Sequence, residues 1–276
     1  MDTRDIERAA HDANELAAWL GKRDVSALTR DALRAEAGLA DGQADWFVLF
    51  GGGVVGLVDA LANAMRAGVA RRYAIVGGRG RATYWLDEAM GRELGQWDDA
   101  ICAPPAPGLA SEAEMLAALL RQRHGLVPDL LETHSTNCGN NITYLLDLLD
   151  SQEPPHSVIL SQDEAMQRRM GATWARQVAD RPRYGGTQVV EWAFYHAELG
   201  CVDGRLEYVR APRGIWDLET YLFLLLGDVD RLNDDALGYG PKGRDFLVHV
   251  DVPVEVRAAR EELGDLCARI GLVPHL

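Results

Sequence analysis

The sequence predicts an α/β protein: a Rossmann-like parallel sheet flanked by helices, with helices at the N-terminus and a small C-terminal α/β portion. Three observations carry that expectation. Short apolar runs recur through the middle of the chain, "WFVLF" at 46–50, "YAIV" at 73–76, "PDLLE" at 128–132 and "SVILS" at 157–161. Each is followed by a turn rich in Gly or polar residues, and then by a stretch with helical spacing. Strands that are apolar throughout belong to a sheet covered on both faces, and a parallel sheet needs the helical crossovers that the intervening stretches provide.

In chain order, residues 3–20 place Ile6, Ala9, Ala13, Leu16 and Leu20 at helical spacing, and a second helix is expected over 26–37 with Ser26 as its cap. Strands are expected at 46–50, 73–76, 129–132 and 158–161, with helices near 54–67, 82–94, 111–124, 139–151 and 164–179. Beyond residue 186 the regularity weakens. There "TQVVEWAFYH" and "GRLEYVR" are candidate strands, "IWDLETYLFLLLGDVDRL" is a strongly apolar helix, and "NDDALGYGPKGRDFLVHVDVP" is rich in turns. A last helix is expected from near Pro253 towards Ile270. The chain divides accordingly into N-terminal helices (1–40), a ligand-binding core (41–195) and a C-terminal portion (196–276).

With 276 residues, 47% hydrophobic and 25% charged, the chain has material for a sizeable core. A net charge of −14 repels phosphate backbones and anionic lipid, which speaks against nucleic-acid and membrane-surface partners. The longest uncharged stretch of the first half, Trp46 to Val58, has 13 residues with four glycines, below the ~20 apolar residues that span a bilayer. The N-terminus starts acidic and lacks the basic start and apolar run of an export signal. Cys102, Cys138, Cys201 and Cys267 lie far apart, with no CxxC pair to suggest zinc or a disulfide framework. A cytoplasmic setting without a metal is therefore expected.

Right-handed crossovers deliver the carboxyl ends of parallel strands to one edge of the sheet, where open α/β folds bind ligands. Polar and Gly-rich residues follow each expected strand. After the first come Gly51, Gly52 and Gly53, which with Gly56 spell G-x-G-x-x-G. The dinucleotide fingerprint also asks for an acid at the end of the next strand, but that strand runs into Gly77, Gly78 and Arg79. Arginines there suit a 2′-phosphate, so an NADP-binding oxidoreductase stays open as an alternative. Two Gly-rich turns after adjacent strands make a wide backbone cradle with free N–H groups.

After the third strand, "ETHSTNCGNN" offers Ser135, Thr136 and Asn137 as helix caps, with Asn137 and Asn141 four apart and able to face the same way. After the fourth come Gln162, Asp163 and Met166, with Arg168 and Arg169 in the following helix, where one of them can turn back to an anionic ligand. Each segment taken alone reads as an ordinary turn or cap; their shared position points to a site. Cys138 has no His–acid pair beside it, and no catalytic residue is assigned. "YGPKG" lacks the Gly-Lys-Ser/Thr of a phosphate-binding loop and is given a structural role.

Taken together, "GGG", "VGGRG", Glu112 opening a helix, "STNCGNN" and "QDEAMQRR" resemble the ordered motifs of the SanA/ElyC/YdcF family, and most closely its cytosolic YdcF branch. "LNDDALGYGPKGRDFLVHVDVP" resembles the tail of that branch, so the likeness runs from about residue 45 to 255. It implies a Rossmann-like core with an appended C-terminal part, and binding of S-adenosylmethionine, a nucleoside-type small molecule. In that view the glycines or Arg169 hold the carboxylate, Glu112 or Asp163 the ammonium or ribose hydroxyls, and Asn side chains the adenine. Asn140 stands where the family usually has the Glu of "GEN", which weakens any contact made through that Glu. The expected function is thus S-adenosylmethionine binding, extending to a methyl-transfer-related enzyme of unknown acceptor. The alternatives are a hydrolase or transferase acting on a phosphorylated metabolite, and a scaffold without catalysis.

Overall fold

The computed structural model describes residues 3–80 and 83–269. Five strands form one parallel sheet in the order β3-β2-β1-β4-β5. They are β1 (Ala44–Phe50), β2 (Ala70–Val76), β3 (Leu130–Glu132), β4 (Ser157–Ser161) and β5 (Gln188–Glu191). The crossovers are helical: α3 (Leu57–Ala67), α4 (Thr83–Glu93) with α5 (Glu112–His124), α6 (Cys138–Leu149) and α7 (Gln167–Ala179). This is the expected Rossmann-like arrangement.

Period-two alternation divides the strands between the two covered faces. Trp46, Val48 and Phe50 of β1 join Val158 and Leu160 of β4 against Ile142, Leu145 and Leu146 of α6 and Met170 and Trp174 of α7. Phe47 and Leu49, with Ile75 and Ile159, pack against α3 and α5 through Leu57, Leu61, Leu116 and Leu120. Burial on both faces is why these strands read as unbroken apolar runs.

The N-terminal helix α1 (Thr3–Leu20) buries Ile6, Ala9, Ala13, Leu16 and Leu20 as expected. It packs chiefly on the C-terminal portion, against α8 (Leu218–Leu232), α9 (Val254–Arg269) and a hairpin of β6 (Glu198–Val202) and β7 (Arg205–Arg210). The second helix, α2 (Arg30–Ala35), is shorter than expected, and its cap is Thr29, whose hydroxyl accepts Ala32 N–H at 3.2 Å. Ser26 is held instead by Glu36, which accepts its backbone N–H at 2.7 Å.

Downstream, "TQVVEWAFYH" supplies β5 only as far as Glu191, and the hairpin turns on Asp203 and Gly204, both at positive φ (49° and 74°). The "YGPKG" loop closes on itself: Lys242 N–H reaches Asp234 Oδ1 at 2.7 Å, and Gly243 N–H reaches the Gly240 carbonyl at 3.0 Å. Among the described residues no helix is long and apolar enough to cross a membrane. Arg81, Ala82 and Ile270, which fall in the second Gly-rich turn and the last helix, lie outside the described residues.

Candidate functional site at the carboxyl edge

From β1 the chain winds outward through β2 to β3, then crosses back to lay β4 on the other side of β1. The loops leaving β1 and β4 therefore start where the strand order reverses, the place at which open α/β sheets bind their ligands. Gly51–Gly53 and Gln162–Glu164 are those two loops. Gln162 ties them together: its Nε2 donates to the Gly51 carbonyl at 3.1 Å, while its Oε1 accepts Asp163 N–H at 2.7 Å. Gly52 is buried, yet among the described residues a Cβ there would come within 4 Å only of Gln162 Oε1, at 3.7 Å.

The β2 side is built around Glu112. The carbonyls of Gly77 and Gly78 accept the backbone N–H groups of Ala113 (2.8 Å) and Glu112 (3.0 Å), which seats the start of α5 against the second Gly-rich turn. A Cβ on Gly51 would collide with Glu112 Oε2, and one on Gly77 would lie 3.2 Å from the same oxygen. These two glycines make room for a carboxylate of the protein itself. Glu112 is 7% exposed, and Thr83 Oγ1 donates to its Oε1 at 2.7 Å. Burial pushes the Glu112 carboxyl above its ordinary range, with the Thr83 hydroxyl and the Arg79 charge pulling the other way.

Gly78 has a different reason to be glycine. A Cβ there would strike the backbone of Ser135, whose Oγ accepts Gly78 N–H at 3.0 Å. Glu132, at the end of β3, draws that loop in by accepting the N–H groups of His134 (2.6 Å) and Ser135 (2.9 Å). The cap of α6 is Asn137, whose side chain accepts Asn140 N–H at 2.9 Å and whose Nδ2 donates to Asn140 Oδ1 at 2.7 Å. Thr136 Oγ1 also donates to Asn140 Oδ1, at 3.1 Å. Thr136 and Asn137 are exposed on the rim, whereas Asn141 is buried and its side chain makes no hydrogen bond to a described residue.

The β4 side is roofed from the C-terminal portion. The Trp216 ring sits where a Gly53 side chain would be, with Trp85 edge-on to it at 5.7 Å and 88°. Trp216 Nε1 donates to Asp163 Oδ2 at 2.8 Å, while Tyr195 OH (2.9 Å) and Ala165 N–H (3.0 Å) share Oδ1. Asp163 is 1% exposed; burial pushes its carboxyl up to about 7, the three donors partly offsetting this. Glu164, also buried, accepts Ala197 N–H at 3.0 Å and the Tyr221 hydroxyl, and faces His196 Nδ1 at 3.1 Å. Met166 closes the turn, its N–H donating to the Asp163 carbonyl at 3.0 Å.

Both expected arginines have protein partners. Arg79 donates to Asp87 Oδ2 and to the Ala110 carbonyl, each at 2.6 Å. Arg169 Nε bonds Asp228, and its Nη1 lies 2.9 Å from Cys138 Sγ. Burial disfavours the Arg169 charge, yet the Asp228 carboxylate outweighs it and holds the guanidinium's pKa above its usual value.

One continuous set of contacts therefore links Gly51, Gly52, Gly53, Gly77, Gly78, Glu112, Ser135, Gln162 and Asp163. Thr136 and Asn137 stand at its rim, and Arg79 and Arg169 are spent on other carboxylates. Trp216, Trp85, Thr83 and Glu132 belong to the set without having been singled out from sequence. A separate surface cleft of about 520 Å³, lined by residues including Asp45, Arg72, His156 and Arg183, lies at the amino ends of the strands. Its polar groups are largely committed already: Arg72 bonds Gln152, Arg183 bonds Asp150 and Gln152, and Asp45 accepts His156 N–H. The strand-order reversal places the candidate site at the opposite edge.

No protein-family model matches the chain. Fold and site together define a Rossmann-like α/β protein with a buried polar cluster at its strand-order reversal, holding the Glu112 carboxylate and covered by Trp216.

Proposed function

We propose that the protein binds a nucleoside-type small molecule in the crevice over Gly52, and that this ligand is S-adenosylmethionine, as the resemblance to the SanA/ElyC/YdcF family implies. The supporting observation is the sign of the charge. Among the described residues the crevice presents the carboxylate of Glu112, while Arg79 and Arg169 are neutralised by Asp87 and Asp228. Such a wall suits hydroxyl, ammonium and sulfonium groups. A dinucleotide pyrophosphate would use the amides at the start of α3, but Gly56 N–H is already bonded to the Arg213 carbonyl at 3.1 Å. NADP and phosphorylated metabolites are therefore the poorer fit. Methyl transfer to an acceptor, in a cytoplasmic setting, is the extension of this reading.

Calorimetric titration with S-adenosylmethionine, S-adenosylhomocysteine, adenosine, NADP and ATP tests it. Binding of the first two, with NADP and ATP silent, is the expected result. Tighter binding of NADP or ATP would replace this function with a phosphate-binding one.

A further inference from the structure

Dinucleotide-binding sheets supply a carboxylate at the end of the strand after the Gly-rich turn, and that carboxylate accepts hydrogen bonds from ribose hydroxyls. Here β2 ends in Gly77 and Gly78, and the next acid along the chain, Asp87, is paired with Arg79 at 2.6 Å. The acid arrives from α5 instead. The two hydrogen bonds from the N–H groups of Glu112 and Ala113 set the Glu112 side chain against Gly51 and Gly77, between the ends of β1 and β2. That is where a strand-end acid of the usual kind would reach.

Its two oxygens differ. Oε1 accepts the Thr83 hydroxyl at 2.7 Å, whereas Oε2 receives no hydrogen bond from a described residue, although the side chain is more than nine-tenths buried. Unlike Glu132 Oε2, this oxygen is not among those sealed from solvent, so it stays within reach of a ligand hydroxyl, which would give a carboxylate held in a largely buried setting the donor it lacks. The neighbouring acids are not available for this. Asp163 has both oxygens taken, Glu164 is held by Ala197, Tyr221 and His196, and the spare Oε2 of Glu132 is sealed from solvent.

We infer that Glu112 is the ribose-reading carboxylate of this crevice, accepting hydrogen bonds from a free 2′,3′-diol through Oε2. The inference rests on the nucleoside reading above and sharpens it. A 2′-phosphate would set negative charge against a buried carboxylate, so the same residue selects unphosphorylated ribose and excludes NADP-type ligands.

The test is calorimetric titration of adenosine, 2′-deoxyadenosine and adenosine 2′-phosphate into the wild-type protein and Glu112→Gln, with thermal melts to show that the variant folds. Loss of one hydrogen bond to a charged acceptor predicts that wild type prefers adenosine over 2′-deoxyadenosine by ~10-fold or more and does not bind the 2′-phosphate. In Glu112→Gln the preference should shrink to within about threefold, and the 2′-phosphate should bind. Should the Gln variant not fold, Glu112→Asp, which keeps the charge but withdraws the oxygen, is expected to lose the preference too. Nucleoside binding with an undiminished ribose preference in the folded variant overturns the role of Glu112 and leaves the nucleoside reading intact. A wild type that binds both sugars equally does the same. Absence of binding by any nucleoside overturns both.

Discussion

The indole N–H of Trp216 donates to the Asp163 carboxylate at 2.8 Å, joining the segment before α8 to the loop that leaves β4. The two residues are far apart in the chain, and their bond brings the C-terminal portion over the carboxyl edge. Asp163 is only 1% exposed, and Tyr195, Tyr208, Tyr221 and Glu164 all lie near enough to feel its charge.

That enclosure predicts a pH dependence. Asp163 titrates at about 7 when folded, against an ordinary 3.8. Between those values the folded protein holds a proton that the unfolded chain has released, so stability from this group is greatest at the acid end and falls as pH rises to about 7. Glu112 and Glu191, whose carboxyls are also raised by burial, slope the same way. The Asp163 share is therefore read as a difference. Urea unfolding from pH 5 to 8 should show wild type losing more stability with rising pH than Asp163→Asn. Parallel curves for the two proteins would show that Asp163 does not titrate in this range.

Arg169 and Asp228 form the tie between α7 and α8, with Asp228 fully buried. Arg169→Ala leaves that carboxylate without its main partner, since Arg231 reaches it only at 3.4 Å. The expected loss is about 3–5 kcal/mol by urea unfolding. Removing both charges, in Arg169→Ala with Asp228→Ala, should cost less than Arg169→Ala alone. A larger loss in the double variant would mean that packing, and not charge, dominates the tie.

Much of this fold was legible because its strands are apolar on both faces. "WFVLF" and "SVILS" were readable as they stand, but β2 begins earlier than its apolar run, at Ala70, because Arg71 and Arg72 occupy its exposed start, the latter stacked over Trp46 at 4.3 Å. The β6–β7 hairpin had a local signal, Asp203-Gly204, which suits a turn needing positive φ twice. The carboxyl edge was legible through topology alone, since each strand end leads there. What no local pattern could reveal is which glycine faces what: Gly51 and Gly77 yield space to Glu112, Gly53 to Trp216 and Gly78 to Ser135. Those are contacts between segments distant in sequence.

Asn137 illustrates the same limit at one residue. Its side chain caps α6 and is exposed, so Asn137→Ala should cost about 1 kcal/mol of stability, read by urea unfolding. Nucleoside affinity should stay within about twofold, because the capping bond acts within the turn. A drop in affinity at unchanged stability would move Asn137 from the rim into the ligand's contacts.

Gly52 and Gly53 are adjacent, yet substitution should separate fold from site. At Gly53 a Cβ would enter the Trp216 ring and stand 3.0 Å from Trp85 Cβ, so Gly53→Ala must push the indole off the loop and strain its bond to Asp163. Overpacking of this kind costs about 1–3 kcal/mol. Emission from Trp216, isolated as the difference from Trp216→Phe, should move to longer wavelength as the ring meets water. At Gly52 the added methyl would meet, among the described residues, only Gln162 Oε1 at 3.7 Å, an ordinary contact, so Gly52→Ala should melt like wild type. If the ligand lies over Gly52 as proposed, that methyl would overlap it, and nucleoside affinity should fall roughly tenfold or more. Calorimetry and thermal melts on the pair decide the matter: if Gly52→Ala binds as wild type does, the ligand does not lie over Gly52, and the crevice between β1 and β4 is not its seat.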